Sequence, residues 1–284
     1  MKKIVTMVLC LMASTTISAQ NVKPKGLYRM TKLSYENGKA DHIPEFAQYK
    51  YCSDTIPFTV MVSRDVEKEL IVQFRQDEPH PYSFTGDVAV GIDGHGTRIF
   101  DYEENGFKLK WYNTVRPGSE AIFPMNEFIT ETYVRDGIPS TIKRMFEMLE
   151  MKKLKSKHRF SGSWTLVGAM SEVDGMPVIL KQMVSVSKIY GEKDVVMVVS
   201  PSASIAQAIV YYHPLEVKSE ANIIEGKNDC KIEWKNKDCF ILSFNPGDGT
   251  TIKELWKRSG LKQPLQTVFG THEPVFELKI PSTF

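Results

Sequence analysis

Apolar and polar positions alternate along this chain in many short runs. Leu70-Ile-Val-Gln-Phe74, Thr97 to Tyr102, Met183 to Tyr190, Ala208-Ile-Val-Tyr-Tyr212 and Cys230 to Trp234 are rich in β-branched and aromatic residues. Phe107, Leu109 and Trp111 alternate in the same way as Phe240, Leu242 and Phe244. Gly, Pro, Asn and Asp separate the runs at intervals of about 8–14 residues, a spacing that predicts antiparallel meanders. Asn37-Gly38 and Asp174-Gly175, each between apolar runs, are hairpin signals. A meander of this many strands hides its edges best by closing on itself. The pattern predicts a mostly β chain of two consecutive antiparallel barrels, each followed by a short helix.

The prediction of two barrels comes from self-similarity. Ile129-Thr-Glu-Thr-Tyr-Val-Arg-Asp-Gly-Ile138 aligns without gaps on Ile252-Lys-Glu-Leu-Trp-Lys-Arg-Ser-Gly-Leu261, with Ile, Glu, Arg and Gly identical. Beyond each Gly, Ile142, Met145 and Phe146 fall at the same offsets as Leu265, Val268 and Phe269, a helical spacing. The starts correspond too: Gly26-Leu-Tyr28-Arg-Met30 matches Gly162-Ser-Trp164-Thr-Leu166, and Pro44 and Pro177 follow the two turns. Thr59-Val-Met-Val-Ser63 resembles Val196-Met-Val-Val-Ser200. The common order of these matches implies duplication. It divides the chain into a leader over 1–20, a first barrel over 21–137, a helix and linker over 138–157 and a second barrel over 158–284. Ile142 to Leu154 reads as the helix, and the basic run Lys152 to Lys157 as a solvated linker.

Met1 to Gln20 has the form of a secretory signal. Lys2 and Lys3 precede the apolar run Ile4 to Met12, and small residues lead to a cut after Ala19 or Gln20. The apolar run is far shorter than the roughly 20 residues of a spanning helix. Cys10 lacks a small residue before it, which disfavours a lipid anchor. The expectation is export to the periplasm or beyond. Removing the leader takes away two lysines and leaves 34 basic against 34 acidic residues. A near-neutral chain with interspersed charges offers no basic face for nucleic acid. Cys52, Cys230 and Cys239 remain, an odd number. A turn at Asn236-Lys237 would set Trp234 rather than Cys230 opposite Cys239, so the thiols read as small buried residues rather than as a disulfide framework.

Gly162-Ser-Trp164 near the start of a β unit and Arg258 on its last strand resemble the lipocalin-like (calycin-type) arrangement. There the first-strand tryptophan packs beneath the last-strand arginine and closes one barrel end. The second half is similar to lipocalin-like domains of unknown function in exported bacterial proteins. The first half departs from that pattern, with Tyr28 and Tyr133 at the two tryptophan positions and Arg135 at the arginine position. The resemblance implies a structural closure by Trp164 with Arg258 and by Tyr28 with Arg135. It carries no catalytic residue to this chain.

Sites of chemistry are scarce in the sequence. His42, His80, His95, His158, His213 and His272 make no His-x-x-x-His or His-Glu-x-x-His spacing, and there is no Cys-x-x-Cys, so no metal site or cofactor is expected. Gly91-Ile-Asp-Gly-His-Gly96 lacks the Lys-Ser/Thr ending of a phosphate loop and reads as a hairpin. Asn245-Pro-Gly-Asp-Gly249 lacks alternating acidic ligands and reads as a turn, as does the cluster Asp101, Glu103 and Glu104. No Gly-x-Ser-x-Gly elbow is present. Trp111-Tyr112, Tyr211-Tyr212, Trp234 and Phe244 are candidates to line a barrel or simply to fill it. The expected function is therefore non-enzymatic binding of a small apolar or amphipathic ligand outside the cytoplasm. The alternatives are an envelope interaction module with filled barrels, and a hydrolase assembled from distant residues.

Overall fold

The structure is a computed structural model. It describes residues 24–36, 49–52, 57–66, 69–76, 82–85, 88–91, 98–113, 127–151, 154, 158–173, 176–179, 184–201 and 207–259. The leader, the His95 loop, most of the basic run and the segment with Leu265, Val268 and Phe269 lie outside those residues.

The first half contributes nine strands: β1 (Gly26–Tyr35), β2 (Tyr49–Cys52), β3 (Pro57–Val66), β4 (Glu69–Gln76), β5 (Tyr82–Thr85), β6 (Val88–Gly91), β7 (Arg98–Glu103), β8 (Gly106–Asn113) and β9 (Glu127–Val134). Helix α1 (Ser140–Leu149) follows. The second half contributes β10 (Gly162–Val173), β11 (Met176–Ile179), β12 (Val184–Tyr190), β13 (Asp194–Pro201), β14 (Gln207–Ser219), β15 (Asn222–Glu225), β16 (Asn228–Asn236), β17 (Cys239–Phe244) and β18 (Thr251–Arg258).

The chain is mostly β, as its alternation predicts. In the second half each strand pairs antiparallel with the next from β12 to β18, and β10 pairs with both β12 and β18. Those eight strands close a barrel. β11 forms a hairpin with the far end of β10, with Val173 opposite Met176. In the first half, β1 pairs with β2 and β9, β2 with β3, β3 with β4, and β5 through β9 pair in sequence. This second sheet has the same order as the barrel, with β4 and β5 together taking the place of the long strand β14.

The registers carry the duplication residue by residue. Met30 stands opposite Tyr133 and Leu166 opposite Trp256, and a bulge follows at the same place in both copies. Lys50 lies opposite Tyr28 as Lys188 lies opposite Trp164. Lys50 faces Thr59 and Lys188 faces Met197, so Thr59 corresponds to Met197 and not to Val196. The two apolar runs look alike in either register, but a one-residue slip exchanges the two faces of a strand.

The halves are joined by equivalent strands. Val60 pairs with Phe74 and Val198 with Val210, so residue 73 corresponds to residue 209. β4 and β14 pair directly, with Gln73 opposite Ile209. A local two-fold therefore runs through that pair, as in an isologous dimer fused into one chain.

Beside this seam lies α1. Ile142, Met145, Phe146 and Leu149 recur at helical spacing and are buried against Ile189, Val196, Val198 and Val210 of the barrel's outer face and against Tyr49 of the first sheet. Gly137 (φ +69°) turns the chain after β9, where an added Cβ would meet the Arg29 guanidinium at 2.8 Å. Arg144 anchors the helix to β13 through a two-pronged bond to Asp194, at 2.6 and 3.1 Å. The helix ends at Leu149, short of the Leu154 expected from sequence, because the backbone turns to a positive φ at Met151 (56°).

Candidate functional site

The barrel of the second half has a built floor. Strand alternation sends Trp164, Tyr190, Val195, Phe240, Leu242 and Trp256 inward, where they are buried together. The Trp164 indole donates through Nε1 to the carbonyl of Phe160 at 2.6 Å. Over its face lies the Arg258 guanidinium, 4.2 Å from the ring centre. Arg258 donates to the carbonyls of Ser161 and Arg159 at 3.0 and 2.9 Å and pairs with Asp238 at 3.2 Å. Gly162 allows the entering chain to bend there, with φ +109°.

The first half repeats the arrangement with a phenol. Arg135 lies 5.0 Å from the ring centre of Tyr28, and donates to its hydroxyl at 2.8 Å and to the Lys25 carbonyl at 3.2 Å. Gly26 takes the place of Gly162 at φ +93°. The four residues singled out by the sequence thus stand as two arginine–ring pairs, one in each half.

One layer above the second floor, the inward face of β12 presents Val186, Lys188 and Tyr190. Lys188 is buried, with Nζ 2.7 Å from Glu225 Oε2 and 3.4 Å from Glu254 Oε2. It sits 4.8 Å from the ring centre of Trp256, whose Nε1 donates to Glu254 Oε2 at 3.0 Å. The hydroxyl of Tyr190 donates to Glu225 Oε1. The same layer exists in the first half. Lys50 donates to Glu131 Oε2 at 3.3 Å and lies 5.1 Å from the ring centre of Tyr133. Tyr133 donates to that same oxygen at 2.7 Å, and Trp111 Nε1 donates to Glu131 Oε1 at 3.0 Å.

The inward side chains Leu166 and Met197, the latter opposite Lys188, and beyond them, away from Arg258, Val199 and Phe244, pack on the core but are only partly buried. The barrel lining thus passes from a buried aromatic floor, through a charged layer, to apolar residues that water reaches. No protein-family model and no curated protein matches this chain.

Electrostatics follow from the burial. Burial alone pushes the Lys188 ammonium down, but Glu225 and Glu254 outweigh it and hold its pKa above the ordinary value. Burial, and then Glu225, push the Tyr190 phenol well up. The same two causes, in the same order, push the Cys230 thiol up to about 12. An unfolded chain ionises its thiol near 9.0, so the folded state binds more protons above that pH. Stability is therefore full below pH about 9 and falls as the pH rises from there toward 12. Lys188 adds a loss of the same sign above 10.5, where an unfolded lysine gives up its proton. Urea unfolding between pH 8 and 11 is expected to show this decline, shallower in Cys230→Ala; a flat profile would contradict it.

Other sequence candidates sit elsewhere. Tyr112 is 43% exposed, and Tyr212 points out of the barrel toward Asp194 at 3.5 Å, because neighbours of inward residues face outward. Trp234 and Phe244 do join the barrel core, and Tyr211 stacks on His213 with ring centres 6.1 Å apart. His158 stacks on Phe160, and Asp101, Glu103 and Glu104 are exposed. His42, His80 and His272 lie outside the described residues.

In the segment 245–249, Asn245 Oδ1 accepts from the Gly247 amide at 2.8 Å, and Asp248 Oδ1 from the Thr250 amide at 2.9 Å. These are turns of the Asx type. The hairpin between β16 and β17 turns at Lys237-Asp238, with Asn236 opposite Cys239 and Trp234 opposite Phe240. Cys230 and Cys239 are free thiols, and Cys52 is buried in the first sheet's core. Among the described residues no three His, Cys, Asp or Glu side chains gather as a metal site, and no helix is long and apolar enough to cross a membrane.

The sequence reading missed the charged layer. Glu131 belongs to the repeated segment, and it also interrupts the apolar face Ile129, Tyr133 of its strand. Lys188 interrupts the face Val186, Tyr190 in the same way. A charge on the buried face of an alternating strand was the available signal, since an ion there must find partners in the interior.

Proposed function

We propose an exported, non-enzymatic binding protein of the lipocalin-like type. It consists of two consecutive barrels, each with a helix after its last strand, and holds a small amphipathic molecule in the second. The observation that carries this reading is the gradient along the second barrel: Trp164 and Arg258 close one end, Lys188, Glu225 and Glu254 offer polar groups at mid-depth, and partly buried apolar side chains line the other end. A ligand with an apolar body and a polar head finds matching surface at both depths. The matching strand order and floor of the first half support a second barrel, and the spacing of Leu265, Val268 and Phe269 supports a second helix. The form of Met1 to Gln20 supports export.

A neutral fluorophore, N-phenyl-1-naphthylamine, tests the reading. Its emission is expected to rise and shift to the blue, saturating at one equivalent, and Val199→Arg, which puts a guanidinium among the apolar residues of the open end, should abolish the effect. A response that does not saturate, or that survives Val199→Arg in a folded variant, overturns it. That outcome would favour an interaction module instead. For such a module the relevant observation is Met176 and Val178 on β11, which are 70% and 51% exposed.

A further inference from the structure

The two charged layers are copies of one another except in how the glutamate is satisfied. Glu131 has both oxygens engaged, Oε2 by Lys50 and Tyr133 and Oε1 by Trp111. Its equivalent is Glu254, since Glu131 and Glu254 lie two residues before Tyr133 and Trp256 on matching strands. Both bonds to the Glu254 carboxylate, from Lys188 and from Trp256, fall on Oε2. Among the described residues, Oε1 of Glu254 receives no donor. The cause is a single replacement. Trp111 lies opposite Ile129 and Phe244 opposite Ile252, so a phenylalanine stands where the first half has the indole that fills Oε1. The Glu254 side chain is also 17% exposed, against 10% for Glu131.

Charge differs in the same place. Among the described residues, the first layer sets the Lys50 ammonium against the Glu131 carboxylate. The second sets Lys188 against two, Glu225 and Glu254, and Glu225 has both oxygens occupied by Lys188 and Tyr190. A bound anion would place a third negative charge beside one positive charge in a low-dielectric interior, which is strongly unfavourable. A cationic donor would meet the open oxygen and bring the layer to neutrality.

We propose that the second barrel selects amphiphiles with a protonated amine head, received by Glu254 Oε1, while the first half, with its glutamate filled, is a scaffold that takes no such head. This rests on the carrier reading above and names its ligand class. Phe244 is the specificity-determining residue, because its lack of a donor leaves the oxygen open, and its half-buried ring lies beside the path of the alkyl chain.

The test is calorimetric titration of the exported protein at pH 7 with dodecylamine, dodecanol and dodecanoate, each below its micelle-forming concentration. Dodecylamine is expected to bind about tenfold or more tightly than either other probe, the scale of one charge-assisted bond in a buried site. Glu254→Gln and Phe244→Trp should each remove the preference, the second by supplying the indole of the first half. Trp111→Phe should leave the affinity for dodecylamine at the second barrel unchanged. Equal or tighter binding of dodecanoate, or a preference that persists in folded Glu254→Gln and Phe244→Trp, overturns the amine proposal and leaves the carrier reading standing. If none of the three binds and N-phenyl-1-naphthylamine also fails to saturate, the carrier reading itself falls.

Discussion

Lys188→Met is expected to destabilise the protein by about 3–5 kcal/mol, the cost of removing one member of a buried ionic cluster. The side chain is 5% exposed, and its Nζ is the positive partner of two carboxylates within 3.4 Å. Methionine fills a similar volume, so the loss is electrostatic rather than a cavity. Two carboxylates remain in the barrel interior, where among the described residues only Tyr190 and Trp256 donate to them. Adding Glu225→Gln in the same chain removes one of those charges and should recover a substantial part of the loss. Urea unfolding of the wild type, the single and the double variant measures both terms. A single-variant loss below about 1 kcal/mol would place the cluster in contact with water instead.

Trp164→Ala should cost about 3–5 kcal/mol, the range for deleting a large aromatic side chain from a core. Trp164 is fully buried and packs edge-on against Phe240 with ring centres 4.6 Å apart, so its removal opens a cavity that those rings cannot fill without leaving their rotamers. The deletion also leaves the carbonyl of Phe160 without its indole donor and the Arg258 guanidinium without the face it covers. Arg258→Lys is a milder change. It keeps the charge but loses the planar fork that reaches Ser161, Arg159 and Asp238 together, and the stacking on Trp164, which is worth about 0.5–2 kcal/mol. Thermal and urea unfolding should rank Trp164→Ala well below Arg258→Lys in stability. The reverse order would mean that the floor is held by the arginine's polar bonds and not by the ring.

Much of this architecture is legible in the chain. Period-two alternation identified the strands, and Gly26 with Gly162, Tyr28 with Trp164, and Arg135 with Arg258 marked the two copies because closure of a barrel end needs those residue types at those places. Boundaries were less legible. Ala208 to Tyr212 belongs to the thirteen-residue strand β14, whose later part carries His213 and Pro214, residues that read as a turn in isolation. The pairing of β4 with β14 left no mark, since a seam between two apolar strands has the same pattern as any other pairing. The charged layer was hidden for another reason. Lys50, Lys188 and Glu225 are scattered over strands far apart in sequence, and only the closure of the sheet brings them to their partners.

The duplication gives the site its meaning. Matching arginine–ring pairs and equivalent lysines show what the two halves share. Where the copies part, at Trp111 against Phe244, the difference is not demanded by closure of the sheet. Divergence at the inward face of one copy, with the outer strands still paired about a two-fold, suits a protein whose first half supports and whose second half binds.

The measurement that bears most directly on this account is native mass spectrometry of residues 21–284, purified gently from the exported fraction of an expressing bacterium. The account predicts one adduct of a few hundred daltons per chain, released on denaturation and absent from Val199→Arg. A bare chain mass from wild type, with the protein folded and the same result after incubation with dodecylamine, would contradict it.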